Sequence, residues 1–362
     1  MVRQRLLRDF FSAFENAEPT LRADAIDEYR ELTLLAHAWE RGALMPGVRA
    51  GMCGPHSASS QIPNYAAGSL ERPGPLGNGW SGAPCQSLQE GLMPGSDKVF
   101  AGSIPKFYDT LMVPLIFEAY AAHMAELVAA SSPSSVLETA AGSGVVTRAL
   151  ATRLSADARY MVTDLNQPML EYAAARQGPD SRIEWRLADA LDLPFEDASF
   201  DVVCCQFGAM FFPNRVAGYI EARRVLRPGG RFVFSVWDRI EENAFADDVT
   251  KAVAALFPHD PPRFLASTPH GYHDIELIRE ELSRAGFADI DFKTRQEVSR
   301  ARSARDAATA YCQGTPLRNE IETRDSSLLQ IATDRATEAI ASRHGKGPVT
   351  GKIQAHVIVA AG

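Results

Sequence analysis

The chain has 362 residues, of which 46% are hydrophobic and 23% charged, the make-up of an ordinary globular protein. Its 45 acidic residues against 37 Lys and Arg give a net charge of -8, which excludes a generic binder of nucleic acid or anionic membrane, since both need a basic face. No run of 18 uninterrupted apolar residues occurs, so no membrane span is expected. Cys53, Cys85, Cys204, Cys205 and Cys312 form no CxxC pair, which argues against a zinc site or disulfide framework and for a reducing cytoplasm. Cys204 and Cys205 sit in an apolar run, where alternation sends them to opposite faces of a strand as small hydrophobes.

Residues 1–97 read as an N-terminal extension. MVRQRLLRDFF has neither an apolar core nor a small-residue cleavage site, so it is not read as a secretory signal. Ile26, Tyr29, Leu32, Leu35 and Trp39 give residues 21–41 a helical apolar face. Residues 42–96 then hold 11 Gly and 7 Pro, and periodicity vanishes. That composition predicts a poorly structured segment.

Residues 98–362 read as one domain. An amphipathic helix is expected over 113–130, with His123 on its surface or in packing. Then SSVLET, RYMVTD, RIEWRL, FDVVCCQF and RFVFSVW read as strands, with helices through VVTRALATRL, PMLEYAAARQ and AGYIEARRVL between them. Strands alternating with helices predict βαβ units and a doubly wound, mostly parallel α/β sheet. Residues 238–273 and 303–325 interrupt the alternation and read as helical cap insertions, with a final strand at AHVIVAA.

The informative loop is Glu138-Thr139-Ala140-Ala141-Gly142-Ser143-Gly144, between a strand and a helix. Gly142 and Gly144 allow a tight turn and close ligand approach, and the helix N-terminus behind them offers free N–H groups. Asp164 ends the next strand, 20 residues after Gly144, where a carboxylate can accept both hydrogen bonds of a ribose diol. The pair signals a nucleoside cofactor. A dinucleotide fingerprint wants a small residue where Thr147 stands, and a phosphate loop wants a Lys-Ser/Thr pair that does not follow. Glu138 would repel a pyrophosphate but attract a cationic methionine moiety.

At these residues the chain resembles the class I S-adenosylmethionine (SAM)-dependent methyltransferases, in particular the small-molecule "type 11" group that includes ubiquinone- and menaquinone-biosynthesis enzymes. VLETAAGSG, TDLNQPML, LADALDLPF, FDVVCCQFGAMFF and VLRPGGRFVFSVW match the family's ordered motifs over roughly 98–240. The family often has Gly where Ala140 stands. The resemblance implies a seven-stranded Rossmann-like fold, SAM as cofactor and a small-molecule methyl acceptor. It places Glu138, Ala140, Gly142 and Gly144 in the cofactor loop, and Asp164 on the ribose. Asn166 and Met169, with Asp189 and Ala190 beside Ala188, fall near the adenine. Gln206, next to Phe207, faces the methionine part, and Tyr108 is an aromatic that can close over SAM. Asp201, Arg227 and Pro228 read as structural turn residues. His270 and His273 are the candidates for a general base, but two histidines in a polar loop are expected to be solvated, so no catalytic base and no metal ligand is assigned. A SAM-binding fold without catalysis, and an NAD(P)-dependent oxidoreductase, remain as alternative readings.

Overall fold

The computed structural model describes residues 108–362. The expected helix at 21–41, the Gly/Pro-rich segment 42–96 and the rest of the extension lie outside the described residues.

The first helix, α1, runs over Tyr108–Ala129, five residues earlier than the apolar pattern suggested. Pro114 stands inside its first part, Tyr108–Phe117, which is wound as a π-helix before regular α-helix takes over at Glu118. A proline has no N–H to give the α ladder, and a wider turn accommodates that loss. By length and composition α1 could cross a membrane, although Glu118, His123 and Glu126 interrupt it. Here 56% of that window is buried inside the fold. Met112, Ile116, Tyr120, Met124 and Val128 are among its buried residues.

A seven-stranded sheet follows: β1 (Ser135–Glu138), β2 (Arg159–Asp164), β3 (Ile183–Leu187), β4 (Phe200–Gln206), β5 (Leu226–Trp237), β6 (Asp289–Ala301) and β7 (Val349–Ala361). Its order is β3-β2-β1-β4-β5-β7-β6, parallel except for β7. α2 (Val145–Ala151), α3 (Gln167–Gln177) and α4 (Arg215–Val225) make the crossovers. Every residue of β1 is buried, as expected of a central strand covered on both faces. Alternate residues enter opposite cores. Leu137, Met161, Val203, Cys205, Phe232 and Phe234 face one, while Val136, Tyr160, Val162, Val202, Cys204 and Val233 face the other. Cys204 and Cys205 are thus both buried, and burial pushes the Cys205 thiol up to about 11.

After β5 the chain builds a helical layer from α5 (Ala244–Ala254) and α6 (Phe264–Ser267), then α7 (Ile275–Arg284) leads into β6. Between β6 and β7 come α8 (Ala304–Gln313), α9 (Leu317–Asp325) and α10 (Leu329–His344). Helix continues through this second insertion to His344, in keeping with a helical pattern over residues 303–343 of the sequence. α8 and α10 pack on each other and on α5, so the two insertions form one layer. Asn243 ties that layer to the sheet: its Nδ2 donates to the Gln354 carbonyl and its Oδ1 accepts from Gln354 N. Gly351 allows the close approach, because a Cβ there would stand 3.0 Å from the Phe245 ring.

Asp201 behaves as the turn residue expected of it. It accepts from Ser134 N and Oγ, from Ser135 N and from Arg227, tying the starts of β1, β4 and β5 together. Partial burial alone would raise its carboxyl; these donors outweigh that and hold it below the usual carboxylate range. Asp201→Ala is expected to cost about 1–3 kcal/mol of stability, since it strands two backbone N–H groups. Thermal melting checks this, with cofactor affinity unchanged.

Candidate active site

The order of the parallel strands reverses between β1 and β4, so their carboxyl ends splay and leave a crevice at the switch point. A cavity of about 360 Å³ lies there. That is the size of a small-molecule or cofactor site, at the place such folds put one. Glu138, Ala140, Gly142, Asp164, Asn166, Met169, Asp189, Ala190, Gln206 and Tyr108 all line it. Gly144 stands behind the wall instead. It precedes α2 with φ +77°, and a Cβ there would meet the Ala173 Cβ at 2.9 Å, so this glycine brings α2 against α3 rather than the backbone against a ligand. Ala140 itself has φ +52°, a strained conformation for a residue with a Cβ, and its methyl fits because Gly208 opposite has none.

Glu138 ends β1 with 2% of its surface exposed. Thr147 Oγ1 donates to its Oε2 at 2.7 Å, and the Tyr160 hydroxyl donates to the same oxygen. Burial pushes the Glu138 carboxyl up to about 7, against the pull of those two hydroxyls and of Arg148. Thr147 and Tyr160 were not legible as site residues. One lies a turn into α2 and the other on the neighbouring strand, and only the fold brings them to Glu138.

Asp164 is held by backbone: its Oδ2 accepts from Gly142 N at 2.7 Å and its Oδ1 from Asn166 N at 2.8 Å. Burial raises its carboxyl, and these N–H donors oppose the rise. Asn166 caps α3 by accepting from Met169 N, which leaves its Nδ2 buried with no partner among the described residues. Ser143 Oγ and Gln206 Oε1 are likewise buried and unpaired among the described residues. Gln206 turns its Nε2 toward the Phe117 carbonyl at 3.4 Å. Ser143 lay in the quoted loop without being singled out. Asp189 does cap a turn, accepting from Leu191 N at 2.9 Å, while remaining in the cavity wall.

The start of α1 passes over this site. Tyr108 stacks on Phe117 with ring centroids 5.1 Å apart. Buried Asp109 anchors the segment to α2 and α3 through Arg148 and Arg176, each at 3.3 Å, and through the Tyr172 hydroxyl at 3.0 Å. A second, smaller compartment of about 60 Å³ adjoins the main one, sharing Tyr108, Phe117, Phe207 and Phe211 as walls. His270 lines it. The expectation that both loop histidines are solvated is therefore wrong for His270, which is 6% exposed behind Trp237 and accepts burial because its Nδ1 bonds the Asp238 carbonyl at 2.8 Å.

A reversed strand order, a turn with a distal carboxylate, and a cavity at the carboxyl edge define an α/β enzyme built to hold a nucleoside-bearing cofactor. Residues 137–234 match the methyltransferase domain model. The demethylmenaquinone methyltransferase of Clavibacter sepedonicus is 31% identical over 44% of this chain and 67% of its own length. The ubiquinone/menaquinone biosynthesis C-methyltransferase UbiE of Paraburkholderia phymatum is 31% identical over 43% of this chain and 68% of its own. Among solved structures, the YcgJ protein of Bacillus subtilis is 18% identical, covering 66% of this chain and 97% of that one, with a TM-score of 0.43. The chain belongs to the class I small-molecule methyltransferases of the UbiE-like group, with SAM as methyl donor and a small molecule as acceptor. The cavity suits that donor: the Glu138 and Asp164 carboxylates, with three unpaired buried polar atoms, are what a ligand with a cationic amino-acid end and a ribose diol needs.

Proposed function

We propose that Asp164 takes the ribose diol, that Asn166, Met169, Asp189 and Ala190 border the adenine, and that Glu138, Ser143 and Gln206 hold the methionine end. The carrying observation is that the unpaired buried atoms of Ser143, Asn166 and Gln206 line the same cavity as Asp164 and Glu138. Each such atom costs about 1–3 kcal/mol while unpaired, so a ligand that satisfies them is favoured. When bound, SAM supplies an electrophilic methyl on its sulfonium. The chain's part is to hold donor and acceptor in line and exclude water, worth up to ~7–11 kcal/mol when alignment is good. Phe117, Phe207, Phe211 and Tyr108 form the wall between the two compartments. That wall supports an apolar acceptor entering through the smaller one. The relatives' names, which refer to demethylmenaquinone and to ubiquinone/menaquinone biosynthesis, support an apolar, ring-bearing acceptor as well.

The purified protein is expected to bind S-adenosylhomocysteine with micromolar affinity, roughly -8 kcal/mol. Titration calorimetry tests this. No heat and no thermal shift with either SAM or S-adenosylhomocysteine would overturn the assignment.

A further inference from the structure

We propose that His270 and Tyr311, both from outside the matched domain, together read a hydroxyl group on the methyl acceptor. The inference rests on the main cavity being the SAM site. The walls of the smaller compartment are largely apolar, among them Met112, Ile116, Met210, Trp237 and Leu265, with Tyr108 shared from the main cavity. Into it the helical layer brings three polar residues: His270 from the loop after α6, Tyr311 from α8, and Thr315, whose hydroxyl is already used in donating to the Tyr311 carbonyl and accepting from Leu317 N.

His270 Nδ1 lies 2.8 Å from the Asp238 carbonyl oxygen. That oxygen only accepts, so Nδ1 carries the proton and Nε2 is left with its lone pair. Nε2 has no hydrogen-bond partner among the described residues. Burial lowers the imidazole to about 4, with His273 adding to the effect and Asp238 and Glu241 opposing it, so the ring is neutral in ordinary buffers. The Asp238 carboxylate is already engaged with Gln354, Arg239 N and His356. Tyr311 is 3% exposed, and its hydroxyl also has no partner among the described residues. Burial raises that phenol, so it stays protonated and able to donate.

A bare acceptor and a free donor therefore belong to residues that line one small, largely apolar space. A hydroxyl satisfies both, giving its proton to Nε2 and accepting from Tyr311. A hydrocarbon satisfies neither, an ether cannot donate, and a carboxylate would face the imidazole lone pair. The compartment has room for the hydroxyl-bearing end of a molecule, with its body left among the shared rings.

The test uses the full chain saturated with S-adenosylhomocysteine and two isosteric probes, p-cresol and p-xylene, titrated by ligand-observed NMR. The wild type is expected to prefer p-cresol about tenfold, and Tyr311→Phe and His270→Leu should each cut the preference to about twofold or less. S-adenosylhomocysteine affinity should hold in both variants. A structural role alone would change the affinity for both probes together and leave their ratio intact. Equal affinity for the two probes in the wild type, or a ratio that survives in the variants, overturns the proposal. Should His270→Leu not fold, Tyr311→Phe, which removes one oxygen, decides it. Failure of the wild type to bind S-adenosylhomocysteine would instead count against the cofactor site.

Discussion

Asp164→Ala is expected to weaken S-adenosylhomocysteine binding by about 1.5–3 kcal/mol, the worth of charge-assisted hydrogen bonds to a ribose. The loss has two sources. Direct bonds to the diol disappear, and the carboxylate no longer holds Gly142 N and Asn166 N, the two bonds that fix the loop after β1 and the start of α3. Asp164→Asn keeps an acceptor for one of those N–H groups and should lose less. Asp201→Ala is the control, because its carboxylate joins strand starts, at the opposite end of β1 from the cavity. Calorimetry on the three variants checks the order. Wild-type affinity in Asp164→Ala would remove Asp164 from the site.

Glu138 should make both stability and cofactor binding depend on pH, in opposite senses. Its carboxyl is raised from 4.5 to about 7 by burial. A raised carboxyl contributes stability that is fully present below the unfolded value of 4.5 and is lost as pH rises through about 7. The ligand-free protein is therefore expected to lose about 3 kcal/mol between pH 4.5 and 8 on this account. A cationic ligand end beside Glu138 favours the ionised form, so SAM affinity should rise from pH 6 to 8, on the order of tenfold, with proton release on binding. Glu138→Gln keeps an oxygen for Thr147 and Tyr160 without the charge, and should flatten both profiles. Calorimetry in buffers of different ionisation enthalpy reads the protons. A slope that persists unchanged in Glu138→Gln would assign the linkage to another group.

The alternation of apolar strands with helices was legible because the central strands of the parallel sheet are covered on both faces, which leaves a continuous apolar run such as FDVVCCQ. The loop and Asp164 were legible because they are local: strand, turn and helix lie within a few residues, and the next strand end follows one crossover later. The start of α1 was not, since residues 108–112 precede the apolar pattern and their π-wound turns pack Met112 and its neighbours into the core. The burial of His270 was not, since PHGYHD is polar in sequence and the apolar cover comes from Trp237, at the end of β5.

The sequence by itself determined the βαβ order, the glycine loop after β1 with the carboxylate that ends β2, and the kinship with SAM methyltransferases, because each of these is written in contiguous residues with their own periodicity. Only the tertiary structure decided the rest. β7 slots between β5 and β6 although it is last in the chain, through pairings such as Val233 with Val359 and Phe292 with Ile358. Glu138 meets Tyr160 because β1 and β2 are hydrogen-bonded neighbours. His270 and Tyr311 reach one compartment because two insertions far apart in sequence pack as a single helical layer. The physical reason is common to all three: such contacts are chosen by which apolar faces bury one another, and that choice depends on the whole chain at once.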